Sequence, residues 1–361
     1  MSEHEPRYQS VIDWVMQEIK DGNLNTGNKL PTEKELCEKF GLSRQTIRHA
    51  TGVLEKKKIV TRVRGSGTYV GVNHVSPNRP RTMNIAVMLT FANSYIFAPV
   101  LMGISSLLEE RGYSAQISFT NNSTEKEGKI LSNLLENDNI DGIIAEPSKG
   151  ALPNPNRKYY EELRGRGIPI LFINAAYRDM DIPCIRLDDE RVAEEAVKLI
   201  ISRGHKRIGG IFHAEDAQGP ERYVGYMKGI RGAGLIPEEE HIVWLDTVAV
   251  GNMEPMMDYM LKRLEGCTAV FTYNDEVAAQ MITGCEKRGM RLPEDLSIVS
   301  IDNADIADSC SPKITTFPHP KEILGRRAAA TILEMLDDPM YDGNYLFMPE
   351  PIIRESLCDH K

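Results

Sequence analysis

No charge-free stretch of the 361-residue chain is long enough to span a membrane, and the opening "MSEHEPRYQS" lacks the basic start and apolar run of a secretory signal. Both absences point to the cytoplasm. Cysteine is scarce. Cys37, Cys184, Cys267, Cys285, Cys310 and Cys358 show no metal-ligand spacing, and several sit inside apolar runs, so buried free thiols are expected rather than disulfides or a zinc site. Also missing are a Walker A lysine, a metal triad, a nucleophile elbow and a cofactor loop. No metal, no cofactor and no enzyme activity are therefore expected.

The chain does have enough apolar material, 41%, to fill real cores, and a length that suggests two or three domains. Its net charge of -9 is unevenly spread. Met1–Arg81 carries 14 Lys or Arg against 9 Asp or Glu, whereas the remainder carries 29 against 43. Between Lys39 and Arg64 the count is eight basic residues to one acidic. That asymmetry describes a polyanion-binding head on an acidic body.

The head reads as three helices and a hairpin. In "YQSVIDWVMQEIK" the apolar stripe of Val11, Trp14, Val15 and Ile19 predicts a helix over Tyr8–Lys20. Thr32 is placed to cap a second helix that Gly41 ends, and Ser43 to cap a third whose Ile47, Ala50, Val53 and Leu54 face inward. Only Leu42 and Ser43 lie between, so the second and third helices must turn sharply. "IVTRV" and "TYVGV" then read as short strands joined across "RGSG". The order describes a winged helix-turn-helix N-terminal domain over residues 1–72. "NHVSPNRPRT", residues 73–82, reads as a linker.

From residue 83 to 361 strand and helix patterns alternate. "NIAVMLT", "YSAQISF", "DGIIAE", "IPILFI", "RIGGIF", "TAVFTY" and "LSIVSID" are apolar runs with helical segments between. Arg111-Gly112, Arg166-Gly167, Arg203-Gly204 and Arg288-Gly289 each shortly precede a strand, which suits a cation and a left-handed cap at a helix C-terminus. Such repeats specify mostly parallel open sheets, here two α/β lobes with a cleft between.

Gln45, Arg48 and His49 share a face of the third helix, with Arg44 at its start. Glutamine can bond two ways to adenine and arginine to guanine, so these residues suit a major groove. Lys56, Lys57, Lys58, Arg62 and Arg64 broaden the electrostatic contact. "RGSGTYV" leads into a strand and not a helix, so its glycines suit a hairpin tip better than a phosphate cradle. The string "LPTEKELCEKFGLSRQTIRHATGVLEKKKIVTRVRGSGTYV" resembles the DNA-binding domain of GntR-type regulators. The resemblance implies Arg44, Gln45, Thr46, Arg48, Arg64, Ser66 and Gly67 at the DNA surface, with Arg7 and Thr32 as phosphate contacts. Two departures stand out: Thr51 replaces an apolar residue, which is expected to loosen the core slightly, and Lys58 replaces a glycine, which is expected to alter a turn.

In open α/β sheets ligands bind beyond the carboxyl ends of the strands. The segments just after the apolar runs carry Asn93, Tyr95, Phe97, Glu146, Lys149, Asn174, Tyr177, Asp216, Arg222, Tyr223, Asn274, Asp275 and Asp302. Such groups suit the hydroxyls and C–H faces of a small polar ligand, a sugar rather than a nucleotide. Competing structural roles exist: Asp275 as a helix cap, Tyr177 as cover for the sheet, Glu146 as a solvent-facing carboxylate. The body resembles the LacI/GalR regulators, similar in turn to periplasmic sugar-binding proteins, through "LLEERGYS", "DDERVAEEAVKLIISRGHKRIGGI", "ERYVGYMKGI", "TAVFTYNDEVAAQMI" and "RLPEDLSIVSIDNAD". That resemblance implies a two-lobed α/β periplasmic-binding-protein-like domain and effector contacts at Arg222, Asp275 and Asp302. A GntR-type head on such a body resembles the arabinose repressors, which implies L-arabinose as effector.

The combined expectation is a transcriptional repressor of sugar-utilisation genes, a homodimer on inverted-repeat operator half-sites in double-stranded DNA, released by a monosaccharide. A sugar-metabolising enzyme with a regulatory DNA-binding head is the alternative.

Overall fold

In the computed structural model each of the four Arg-Gly pairs closes a helix: Arg111, Arg166, Arg203 and Arg288 are the C-caps, and the glycine after each has φ between 75° and 91°. Only glycine takes that left-handed turn without strain, which is why the pairs punctuate the chain. The structure describes residues 7–24, 28–57, 59–63, 67–70, 80–92, 95–338 and 341–360.

The head contains α1 (Gln9–Lys20), α2 (Glu33–Phe40) and α3 (Arg44–Lys56), then antiparallel β1 (Val60–Val63) and β2 (Gly67–Val70). Thr32 and Glu35 form a reciprocal capping box on α2, and Ser43 accepts from the Thr46 amide at 3.2 Å. Gly41, at φ 63°, turns the chain between α2 and α3. Val11, Val15, Leu36, Ile47, Ala50 and Leu54 fill the core. Leu30 donates its amide to the Thr68 carbonyl, and Val70 to that of Asn28, so the segment before α2 extends the hairpin.

The body begins with β3 (Asn84–Leu89), α4 (Phe97–Glu110), β4 (Ser114–Phe119), α5 (Thr124–Asn137), β5 (Gly142–Ala145), α6 (Arg157–Gly165), β6 (Ile170–Ile173) and β7 (Cys184–Leu187). It continues with α7 (Asp189–Ser202), β8 (Ile208–His213), α8 (Gln218–Gly232), β9 (Ile242–Leu245), α9 (Thr247–Gly251), α10 (Met257–Arg263), β10 (Ala269–Thr272), α11 (Asp275–Lys287), β11 (Ser297–Asp302), α12 (Asp305–Ser309) and β12 (Thr315–Pro318). The chain then returns with α13 (Lys321–Asp337) and β13 (Tyr345–Phe347).

Two parallel sheets result, ordered β13-β7-β6-β5-β3-β4 and β12-β11-β10-β8-β9. Helices cover both faces of each, so the inner strands are apolar throughout rather than alternating. Three chain crossings join the lobes: after β7, after β12, and after β13, where Ile352 pairs with Thr316. On the first lobe α4 and α13 touch through glycines. A Cβ on Gly103 would lie 2.3 Å from the Glu322 carbonyl, and one on Gly325 2.1 Å from that of Val100.

Arg81 and Thr82, the end of the expected linker, are fastened to the first lobe. Arg81 donates to Tyr113 and Asp337, and Thr82 to Asp141. Residues 73–79 of that linker lie outside the described residues. All six cysteines are unpaired; Cys184, Cys267 and Cys285 are buried, while Cys37, Cys310 and Cys358 are half-buried, more open than expected.

Candidate functional site

Strand ends from both lobes converge on a cavity of about 400 Å³, within the size range of small-molecule sites. The first lobe contributes Thr90 after β3, Tyr95 and Phe97 at the start of α4, Glu146 after β5 and Asn174 after β6. The second contributes His213 at the end of β8, Asp216 and Arg222, then Tyr273 and Asn274 after β10, and Asp302 closing β11. His319 lies on the second crossing. Asn174 and Asp302 both carry positive φ, 62° and 113°, the kind of backbone strain that gathers at ligand sites.

Arg222 is the electrostatic centre. It is 4% exposed, donates from Nε to Asp189 at 2.7 Å and from Nη1 to the Tyr273 carbonyl, and has Asp302 at 3.9 Å. Burial works against its charge, but Asp189 and then Asp302 outweigh it, so its pKa is raised. Burial also lifts Asp302 to about 6 and Glu146 to about 8; His319 is held down to about 3. Glu146 accepts from the Thr90 amide and hydroxyl, at 3.1 and 2.6 Å, and from Asn174 at 3.3 Å. Asn174 in turn accepts from His319 Nε2 at 3.1 Å, completing a buried polar chain.

The lobes meet across the cavity. The Tyr95 hydroxyl bonds Asp302 and accepts from Asn274 at 3.2 Å. Asn122 donates to Asp216 and Thr247 at 3.0 and 3.3 Å, and Lys149 pairs with Glu215 at 2.6 Å. The Lys149 and Thr247 donors pull Glu215 down to about 2.

Of the nine expected effector contacts, Tyr95, Phe97, Glu146, Arg222, Asn274 and Asp302 line the cavity and Lys149, Tyr177 and Asp275 do not. The Lys149 ammonium is spent on Glu215. The Tyr177 hydroxyl sits 2.8 Å from both Glu127 and the Ser148 carbonyl, holding the loop after β5. Asp275 is fully buried and accepts from the Ala304 amide and the Thr316 hydroxyl, both at 2.8 Å. It is not the cap of α11 either; Asn274 is, accepting from Val277 at 3.0 Å. Glu146 is buried, not solvent-facing. Asp275→Ala should therefore act on stability, stranding a buried amide and hydroxyl at about 1–3 kcal/mol each. Urea unfolding of the variant reads this directly, and unchanged stability would return Asp275 to the ligand.

Thr90, His213, Tyr273 and His319 escaped the sequence reading, although each ends or follows a strand. Position was their one signal, since none of them carries the carboxylate or amide that marks a sugar contact most plainly.

On the head, Arg7, Arg44, Gln45 and Arg48 are exposed. Arg48 Nε meets both Glu33 oxygens at 3.0 Å, so the first residue of α2 orients it. Thr46 is half-buried, its hydroxyl 2.9 Å from that of Ser43, and the Thr32 hydroxyl belongs to the capping box. His49 packs edge-on against Tyr8, with centroids 4.5 Å apart. Gly67 has φ 138° and lies beneath Lys29, whose Cε would stand 2.5 Å from an added Cβ. Arg64 and Ser66 lie outside the described residues, as do Lys58 and Asn93. Among the described residues no group of three or more His, Cys, Asp or Glu is arranged to hold a metal ion, and no helix is long and apolar enough to cross a membrane.

Residues 7–70 match the bacterial regulatory proteins of the gntR family, and residues 197–357 match a periplasmic binding protein-like domain. Among solved structures, the transcription regulator CcpA of Lactococcus lactis superposes with a TM-score of 0.68 at 24% identity, over 77% of this chain and 99% of that one. The arabinose metabolism transcriptional repressor of Geobacillus stearothermophilus is 32% identical over 97% of both chains. Its counterpart from Halalkalibacterium halodurans is 31% identical over 99% of this chain and 98% of that one. With likeness spanning head and body together, the chain belongs to the family of the arabinose metabolism transcriptional repressors.

Proposed function

We propose that the chain represses sugar-utilisation genes by binding double-stranded operator DNA through its winged head, and that a monosaccharide, L-arabinose, releases it. Residues 1–72 form the DNA-binding part, 73–82 the linker and 83–361 the effector and dimerisation part. A homodimer in the cytoplasm places two heads on inverted-repeat half-sites. The observation that carries this reading is the interlobe cavity, whose polar groups come from both lobes at once. A ligand bonded to both sides biases the lobes toward one arrangement, and DNA and effector then weaken each other's affinity reciprocally.

The wall chemistry supports a neutral polyol. Glu146, Asp216, Glu276 and Asp302 face the space, and Arg222 is already engaged by Asp189 and Asp302. An anion entering would meet carboxylates and, among the described residues of the wall, no free counter-ion. Tyr95, Phe97 and Tyr273 add aromatic surface to the wall, which suits sugar C–H groups. The relatives' naming as transcriptional repressors supports regulation over catalysis.

The test is binding of the full chain to duplexes selected from a randomised pool, measured at low salt with and without a panel of monosaccharides. L-arabinose should give heat in a titration and weaken DNA binding, pentose phosphates should do neither, and the sugar should be recovered unchanged. No duplex binding at low salt ends the repressor reading. Silence across the sugar panel ends the effector reading.

A further inference from the structure

Thr51 occupies a position where the GntR resemblance expects an apolar side chain, yet the core around it is not loosened. The residue is 3% exposed, and its hydroxyl donates back to the Ile47 carbonyl at 3.0 Å, with that of Arg48 at 3.2 Å. The same oxygen accepts from Arg62 Nη2 at 2.5 Å. Arg62 belongs to β1, opposite Thr68 of β2. Its Nη2 also reaches the Arg48 carbonyl at 3.4 Å, and its Nε lies 3.6 Å from Glu55. Residues 48, 51 and 55 of α3 fall on one helical face, so a single guanidinium grips about two turns of the recognition helix from the wing.

We propose that Thr51 and Arg62 form a clasp that fixes the wing against the recognition helix, making Arg62 a positioning residue and not one of the phosphate contacts. The proposal rests on the DNA-binding reading above. A winged head must deliver Arg44, Gln45 and Arg48 to one groove and the Gly67 hairpin end to another site on the same duplex. Any play between α3 and β1 therefore lowers affinity without removing a contact. The clasp touches α3 on the main-chain carbonyl of Arg48, whose side chain Glu33 holds from the other side. An apolar residue at position 51 would fill the same space but remove the closest acceptor of the guanidinium, leaving only the longer contacts to the Arg48 carbonyl and Glu55.

The experiment uses the full chain and the tightest duplex that the unmodified protein selects from a randomised pool. Thr51→Val should weaken binding roughly tenfold, the worth of one such bond, while the head stays folded at the assay temperature, its thermal midpoint lowered by no more than a few degrees. Thr51→Ser, which restores the hydroxyl, should bind as the parent does. Arg62→Gln should lose a similar factor, the double variant should be no weaker than Arg62→Gln alone, and the dependence of log affinity on log salt should keep its slope. The proposal is overturned if Thr51→Val binds as the parent does. It is equally overturned if Arg62→Gln flattens the salt slope by about 0.9 and its loss adds to that of Thr51→Val, since both mark a phosphate contact. Should Thr51→Val unfold, the Arg62→Gln slope still decides. Failure of the parent to bind any duplex is a separate result, visible before a variant is made.

Discussion

Arg222→Met is expected to destabilise the body by about 3–5 kcal/mol and to abolish the heat of sugar binding. The stability loss comes less from the missing side chain than from the charges it leaves behind: Asp189 and Asp302, both buried, lose their nearest counter-ion and keep only the weaker fields of Arg186 and Lys321. A loss of that size corresponds to a fall in thermal midpoint on the order of 10 °C for a domain of this length. Adding Asp189→Asn and Asp302→Asn should recover much of the stability, because neutral amides tolerate burial that carboxylates do not. Sugar binding should not return with it. Operator binding by the head should persist in both variants. A cost below about 1 kcal/mol for the single substitution would mean that Arg222 is not what neutralises the pair.

Glu146→Gln should change how stability depends on pH. The carboxyl of Glu146 ordinarily titrates near 4.5 and is lifted to about 8 by burial. Between those values the folded protein holds a proton that the unfolded chain has released. Its contribution is therefore fully present below pH 4.5, falls as pH rises through the window, and is flat above pH 8. The cumulative decline is on the order of 5 kcal/mol. Glutamine cannot titrate, so unfolding free energies across pH 4–9 should lose this decline, while the slopes of the other shifted groups stay common to parent and variant: a shorter decline from Asp302 that ends near pH 6, and a rise toward pH 6.5 from His319, which folding holds deprotonated. The amide also faces Asn174 as a second donor, so the absolute stability shifts as well; the slope is the diagnostic quantity. Identical pH profiles for parent and variant would show that the buried carboxyl is ionised throughout.

The architecture was legible wherever the pattern was local and repeated. The Arg-Gly pairs announced four helix ends, and seven apolar runs became strands. β7, β9, β12 and β13 escaped, although β5, β6 and β10 are equally short and were legible as apolar runs; at four residues or fewer, periodicity alone does not separate a strand from a loop. "CIRL" contains an arginine that Glu221 neutralises from another element, and "TTFP" reads as a loop until β11 pairs with it. Such strands exist through tertiary pairing alone. The cavity was legible through the strand-end rule, which names positions but not directions. Asn274 and Asp275 are neighbours, yet one caps a helix at the cavity wall while the other points back into the lobe as a strut. Tyr177 likewise follows β6 as expected and spends its hydroxyl on Glu127 and the Ser148 carbonyl. The head was more transparent, because caps, a left-handed glycine and helix periodicity all act within a few residues. Thr51 is the exception. Its partner Arg62 is far enough along the chain that the substitution looked like a defect.

The three crossings between the lobes also bear on how the protein is made. Translation delivers β3 to β7 first, then the whole second lobe, and only afterwards α13 and β13. Until those residues leave the ribosome, the face of α4 that Gly325 will close against stays uncovered, and one edge of the first sheet has no neighbour. The lobe begun earlier is thus completed later. A nascent chain halted before residue 321 should be the species that chaperones hold, and cutting the gene between the lobes cannot yield two whole halves.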